Sequence, residues 1–536
     1  MTAGESLAPV VLGGREPLTP ENVVAVARHG RPVTLAAGVQ ERMRPSREWI
    51  ERLFADGEAR PVYGVNTGFG ALAGAGRYQD TASAVELSRR LVLSNACGVG
   101  RELEPEVVRA AILIRAASLT TGMSGVAPEL PQTLVAMLNA GVTPVVPEYG
   151  SLGASGDLVP LAYVALVATR PDEGPDDPDV SGTALHAGVL KHGVDAMRDA
   201  GIERVVLGPK AGLALLNGTS FSTALATLAL ADAETLVETA ELALALSVQA
   251  LLGFADAFLP QIHEARGHRG QMRSAARVRE LLRGSRLIDG AEDRDPEREP
   301  PQDAYSIRCA PQVHGAVRDV LAFARTTIGA ELGATTDNPL IVCDLPRELK
   351  AVSGGNFHAQ PLAFASDFLA ISATEIASIS ERRLARMVDP ALNRGLPAML
   401  IESEQPGMDC GFMLPQYLAA GLVSDCKTLA HPDSVDSIPT SANQEDHVSM
   451  AMNAGRHVRQ VVSNATAVLA LELFAAAQAI DLRVREPGRG LGDVSPATRR
   501  AFDQIRAVVG YQKRDELLHP RVAAVRELVA AGALLA

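Results

Sequence analysis

The stretch "YGSLGASGDLVPLAY", Tyr149 to Tyr163, sets three of the smallest side chains together: Ala154, Ser155 and Gly156. A phosphate loop is one use for such a turn, since Gly150, Gly153 and Gly156 are evenly spaced. It needs G-x-G-x-x-G or G-x-x-x-x-G-K-[ST], and no lysine follows here. A hydrolase nucleophile elbow needs G-x-S-x-G, and Asp157 takes the place of the last glycine. A plain tight turn ahead of a helix is the structural alternative. The fourth use is backbone condensation. If the turn presses the Gly156 nitrogen against the Ala154 carbonyl, the chain can cyclise. Loss of water, including the Ser155 hydroxyl, leaves a methylidene-imidazolone ring (MIO) with an exposed, electrophilic alkene carbon. The residue types suit this: glycine lets its nitrogen approach, alanine adds no bulk, serine supplies a leaving hydroxyl, and nearby glycines permit unusual backbone angles.

Other segments carry chemistry-bearing residues in an ordered series. "VYGVNTGFGALA" holds Tyr63 among Gly64, Gly68 and Gly70. "LALLNGTS" holds Asn217, and "QDAYSIRCAPQ" holds Gln302, Tyr305 and Arg308. "TDNPL", "SGGNFHAQP" with Phe357, and "HPDSVDSIPTSANQEDHVSM" with Gln444 and Glu445 follow. Together with the small-residue turn, they resemble in type and order the motifs of the MIO-dependent aromatic amino acid ammonia-lyases and aminomutases. The last segment is most similar to the histidine ammonia-lyases. The resemblance covers nearly the whole chain.

Several roles follow from that resemblance. Ala154-Ser155-Gly156 forms the MIO electrophile, which addresses the poor leaving ability of an amine by bonding to the substrate. Tyr63 is the base that removes the barely acidic β-hydrogen. A free tyrosine titrates near ~10, so a site using one as base must supply positive charge or donors. Arg308 clamps the substrate carboxylate, because its planar fork matches two oxygens. Tyr305, three residues earlier, faces the same site if the segment is a helical turn. Asn217 and Gln302 hydrogen-bond the ring or the substrate, and Phe357 lines the pocket. Gln444 and Glu445 contact the substrate. Glu445 stands where the tyrosine and phenylalanine lyases carry glutamine. A carboxylate suits an imidazole, which donates an N–H or carries charge near neutral pH. It suits a phenyl ring poorly, because a buried unpaired charge is costly.

One departure bears on the substrate. Ser94-Asn95, in "RLVLSNACGVG", stands where histidine lyases read Ser-His and the tyrosine and phenylalanine lyases read His-Leu or Phe-Leu. Asn95 still donates and accepts hydrogen bonds but cannot titrate or stack as imidazole does. Tyr163, at a position often histidine, is a smaller departure. The resemblance therefore implies elimination of ammonia from L-histidine to give trans-urocanate. A tyrosine or phenylalanine ammonia-lyase, or a 2,3-aminomutase, is the alternative. A non-catalytic helical scaffold is the remote one. The resemblance also implies a homotetramer with shared active sites.

These residues need a frame. Of 536 residues, 47% are hydrophobic and only 4% aromatic, with Trp49 the one tryptophan. Alanine, leucine and valine carry the core, which favours helices. Ser222 to Leu252 reads as one long helix with Glu234, Glu238 and Glu241 on a solvated stripe. Similar long patterns start at Pro361, at Gly455 and at Ala310. We expect a mainly α fold: an elongated bundle of long central helices with a mixed, loop-rich N-terminal region that carries the MIO loop. The expected division is an N-terminal region over 1–205, a long-helix bundle over 206–490 and short helices over 491–536. Arg170 to Gly182 and Gly290 to Asp303 read as charged, proline-rich loops.

Bulk properties exclude other classes. The net charge of −13 argues against wrapping nucleic acid. The five cysteines are scattered and form no C-x-x-C pair, which fits reduced cytosolic thiols. No signal-peptide pattern is visible at the N-terminus. The longest apolar region, Phe221 to Phe254, is interrupted by four acids, so no membrane span is expected. No nucleotide, flavin, pyridoxal or metal motif stands out. The expected partner is a small amino acid, and the expected location is the cytoplasm.

Overall fold

The computed structural model describes residues 8–55, 60–289, 301–346, 350–405 and 407–535. Most of the Gly290 to Asp303 loop lies outside them. Among the described residues there are eighteen α-helices, and the strands are no longer than four residues, so the expected mainly α class holds. Two compact units can be distinguished. The first comprises Met1–Leu228, Arg325–Ser366 and Pro432–Arg456; the second comprises Ala229–Ala324, Asp367–His431 and His457–Ala536.

The long helices form where the alanine- and leucine-rich patterns lie. They span Ser220–Ala250, Ala310–Leu332, Gln360–Val388 and Ala451–Val484, with Pro361 tolerated in a first turn where its missing N–H costs nothing. Two of them, Gln360–Val388 and Ala451–Val484, are long and apolar enough to cross a membrane, but 72% and 83% of their apolar windows are buried, as in core helices.

The second unit corrects the expected solvated stripe. Glu234 and Glu238 are half-buried, but Glu241 is fully buried and takes a two-pronged contact from Arg318, at 2.8 and 2.6 Å. The turn that carries Glu241 has no solvent face, so its acid is retained only by pairing. Burial still holds the Glu241 carboxyl above the usual carboxylate range, because Arg318 offsets only part of the lost hydration. The unit ends in the short helices Pro496–Val508 and His519–Ala530, the first capped by Ser495 accepting from the Thr498 amide.

The first unit positions most of the candidate residues. Trp49, Ile50, Leu53, Val62, Val65 and Ile341 form one apolar cluster. Val62 and Val65 flank Tyr63, and each contributes about 1.5–3 kcal/mol of anchoring if fully buried on folding. The strands Val99–Glu102 and Pro147–Tyr149 pair antiparallel, Val99 opposite Tyr149, and deliver the chain into the small-residue turn. That turn leads directly into the Leu158–Ala168 helix.

Candidate active site

Ala154, Ser155 and Gly156 lie in a bent loop held by two neighbouring segments of the first unit. On Asn217, the side-chain amide Nδ2 donates to the Ser155 carbonyl at 2.6 Å. Gly218 forms a parallel bridge with Gly156, and its carbonyl accepts the Asp157 amide at 2.8 Å. The Met450 amide donates to the Leu152 carbonyl at 2.9 Å. Gly153 packs so closely on Ser449 that a Cβ there would stand 2.2 Å from its Oγ. Gly156 is left-handed, with φ +72°, and a Cβ on it would lie 2.3 Å from the Gly218 carbonyl oxygen. Only glycine fits there.

Asp157 fixes the far end of the loop. Its carboxylate is fully buried and accepts from the Ser222 amide at 2.8 Å, the Ser222 hydroxyl at 2.9 Å and the Ser151 hydroxyl at 2.9 Å. Burial holds it above its usual range despite these donors. Sequence reasoning missed this role, as it did those of Ser449 and Gly218. Nothing in the sequence marks the acid just before the Leu158–Ala168 helix for this task, and only the fold shows that it serves the Ser220–Ala250 helix.

The Tyr63 loop is a tight turn. Asn66 closes it by accepting the Val62 amide at 2.7 Å and donating to the Arg60 carbonyl at 3.1 Å. The half-buried Tyr63 Oη accepts the Gly70 amide at 3.1 Å. Gly64, at φ +65°, lies against Leu213, on the Ala211–Leu216 helix that Asn217 terminates. The Tyr63 loop and the Asn217 turn are thus packed together.

Glu445 reaches the same loop. Its Oε1 stands 3.3 Å from where a Gly70 Cβ would be, and the neighbouring Ser441 Oγ accepts the Ala71 amide at 3.2 Å. Glu445 Oε2 is buried without a hydrogen-bond partner, and so is Asn217 Oδ1. Both acceptors lie beside the Tyr63 and Ser155 loops, where donors on a ligand could satisfy them. Residues 441–443 form a turn with three consecutive left-handed residues, at φ +51°, +52° and +67°. Such strain concentrates at functional sites.

The remaining candidates fall into two groups. Phe357 is half-buried, and the next residue, His358, stacks on His447 with ring centroids 5.9 Å apart. That stacking brings the Phe357 and Glu445 segments together. Gln444 is exposed. Ser94 and Asn95 end the Thr81–Asn95 helix, and the Asn95 amide turns back onto the Leu91 carbonyl at 2.8 Å. In the second unit, Tyr305–Arg308 is a single helical turn, with the Arg308 guanidinium 4.5 Å from the Tyr305 ring centroid and its Nε donating to the Asp303 carbonyl at 2.9 Å. Gln302 and Arg308 line a cavity of about 360 Å³ together with Asp303, Phe254 and Gln312. Among the described residues no cluster suited to a metal ion occurs.

This geometry can be compared with known proteins. The family of aromatic amino acid lyases matches residues 18–507. A histidine ammonia-lyase of Anaeromyxobacter dehalogenans is 47% identical over 97% of this chain and 98% of its own. The structure of a histidine ammonia-lyase from Trypanosoma cruzi is 35% identical, with a TM-score of 0.85 over 98% of this chain and 94% of the other. A tyrosine aminomutase from Streptomyces globisporus is 34% identical, with a TM-score of 0.88 over 98% of both. The chain belongs to the aromatic amino acid lyase family.

Proposed function

We propose that the chain is an ammonia-lyase that converts L-histidine to trans-urocanate and ammonia. The observation that carries the substrate is Glu445: a buried carboxylate oxygen without a donor, beside the loop that holds Tyr63. An imidazole N–H satisfies it, whereas a phenyl or phenol ring of the same position leaves it desolvated and unpaired. The many curated relatives that carry the name histidine ammonia-lyase, at 43–47% identity, support the same substrate.

Residues 154–156 fit the MIO group. The left-handed Gly156 and its contact with Gly218 leave no room for a side chain, and the loop is bent and clamped at both ends. Asn217 and Gly218 would hold the ring. When formed, the ring supplies the electrophile that makes the substrate amine a competent leaving group. The rest is the work of ordinary side chains. Tyr63 Oη takes the β-proton, and the Gly70 amide fixes that oxygen in place. Asn217 Oδ1, otherwise unsatisfied, accepts from the substrate amine. Glu445 orients the imidazole, and Phe357 covers it. Arg308 pairs with the carboxylate through two parallel hydrogen bonds.

A homotetramer supplies the remaining site residues in this reading. Exposed apolar side chains at helical spacing on the second unit support it: Phe368 and Ile371 on one helix, and Leu414, Tyr417 and Leu418 on the Met413–Leu429 helix. We place the enzyme in the cytoplasm.

The test is direct. Wild-type protein should have lost two waters by intact mass and should release urocanate from L-histidine. Ser155→Ala should show the full mass of its uncyclised chain, keep its fold and lose nearly all turnover. Full activity in that variant removes the reading.

A further inference from the structure

A buried guanidinium stands behind the turn that holds the 154–156 loop. Arg115, on the Pro105–Leu119 helix, is fully buried. Its Nη1 donates to the Ala214 carbonyl at 3.0 Å and the Asn217 carbonyl at 2.7 Å. Its Nε donates to Ser220 Oγ at 3.1 Å, and its Nη2 to Thr336 Oγ1 at 2.7 Å. These contacts reach the end of one helix, the link Asn217–Thr219, and the first residue of the next helix. Burial works against its charge, and the negative charges of Asp337, Asp157 and Glu331 offset part of that cost. The fit is tight: a Cβ on Gly218 would stand 2.3 Å from Nη2 and 2.5 Å from Thr336 Oγ1.

The segment that Arg115 fixes is the one that meets the loop. Asn217 holds the Ser155 carbonyl, and Gly218 meets Gly156 and takes the Asp157 amide. Each is a backbone or short side-chain contact, so a shift of the 214–218 backbone would displace it.

Building on the ring reading above, we propose that Arg115 is a positioning residue for ring formation: it fixes the 214–218 turn so that this turn presses Gly156 toward Ala154. In the step it serves, the Gly156 nitrogen bonds to the Ala154 carbonyl carbon. The carbonyl oxygen leaves as water with the amide protons of Gly156 and Ser155. A second water takes the Ser155 hydroxyl and its Cα hydrogen. No oxidant or reductant is required. The guanidinium supplies geometry rather than a proton, since it is spent on four acceptors in a planar fork that lysine cannot copy.

The test measures ring formation rather than turnover. R115K and R115M are made by cell-free synthesis beside wild type. The folded fraction is isolated by gel filtration, checked by far-UV circular dichroism, and its intact mass followed over time. The expected result is a folded variant that loses the two waters about tenfold or more slowly, as misplacement of reacting groups costs in other systems. A purely structural role lowers the melting temperature but leaves the folded fraction fully dehydrated at the wild-type rate, and that result overturns the proposal. If neither variant folds, T336V and S220A, each removing one acceptor of Arg115, decide the matter. Slower dehydration in either supports it, and wild-type rates in both overturn it. Retention of both waters in wild type refutes the ring itself, a separate outcome that takes this inference with it.

Discussion

Glu445 and Asn95 give opposing indications of the substrate, and their surroundings decide between them. Asn95 is satisfied within its own helix, its amide on the Leu91 carbonyl. Glu445 keeps one buried oxygen without a partner, beside the Tyr63 loop. An unmet need for a donor selects a ligand more strongly than a neutral amide that is already bonded. Glu445→Gln should therefore lower kcat/KM for L-histidine by about 10–100-fold, the loss of a charge-assisted hydrogen bond worth about 1.5–3 kcal/mol. Turnover of tyrosine or phenylalanine, if measurable, should fall less or rise. Steady-state kinetics with the three amino acids on both proteins checks this, and unchanged histidine turnover in the variant refutes the assignment.

At the scale of elements, the loops are placed by glycines whose replacement costs differ for physical reasons. At Gly64 a Cβ would lie 2.3 Å from Leu213 Cδ2, the free end of a side chain that can rotate away. What remains is the left-handed backbone, about 1–2 kcal/mol for an alanine. At Gly156 the obstacles are the oxygen, carbon and nitrogen of Gly218, which cannot retreat. Gly64→Ala should keep its fold and the loss of two waters, with a lower melting temperature. Gly156→Ala should fold yet fail to lose them. Intact mass and thermal unfolding on both variants separate the two cases, and dehydrated Gly156→Ala would show that the contact with Gly218 does not govern the loop. The same contrast explains what the sequence discloses. The helix patterns at Ser222, Pro361, Ala310 and Gly455 sit within a few residues of the observed helices, because a run of alanine and leucine has a period of its own. The motif around Ser155 is legible because its residue types suit backbone cyclisation, and Tyr63 stands out only through the resemblance of its loop to the family's base-carrying loop. Asp157, Arg115 and Ser449 were not, since their partners lie far along the chain and a lone Asp, Arg or Ser carries no period. The buried Glu241 was misread as solvated for the same reason: its partner, Arg318, is on another helix.

At the scale of the whole molecule, pH acts through groups that the active site does not use. His314, on the Ala310–Leu332 helix of the second unit, is fully buried, and neither ring nitrogen has a hydrogen-bond partner. Burial, then the charges of Arg383 and Arg318, push its pKa well below the ordinary value of 6.5. Both arginines are paired, with Glu472 and Glu241, so the surrounding charges balance only while the ring is neutral. The sign follows from proton binding. In the window below 6.5 the unfolded chain takes up a proton that the folded chain refuses, so stability is complete above that pH and falls as pH drops, by up to about 1.4 kcal/mol per pH unit. His263, also lowered by burial, adds to the same slope. The carboxyls of Asp157, Glu241 and Glu331 are raised instead, so they oppose the trend in the window from the ordinary carboxylate range up to their raised folded values. His314→Leu removes two unsatisfied nitrogens and keeps most of the volume. It should unfold at a temperature equal to or above wild type near pH 8, and its loss of melting temperature between pH 6.5 and 5 should be visibly smaller, with the His263 part remaining. Melting curves of both proteins across that range are the measurement. An unchanged slope would place the acid sensitivity elsewhere, and a large loss of stability at pH 8 would mean that the imidazole makes a bond worth more than its burial costs.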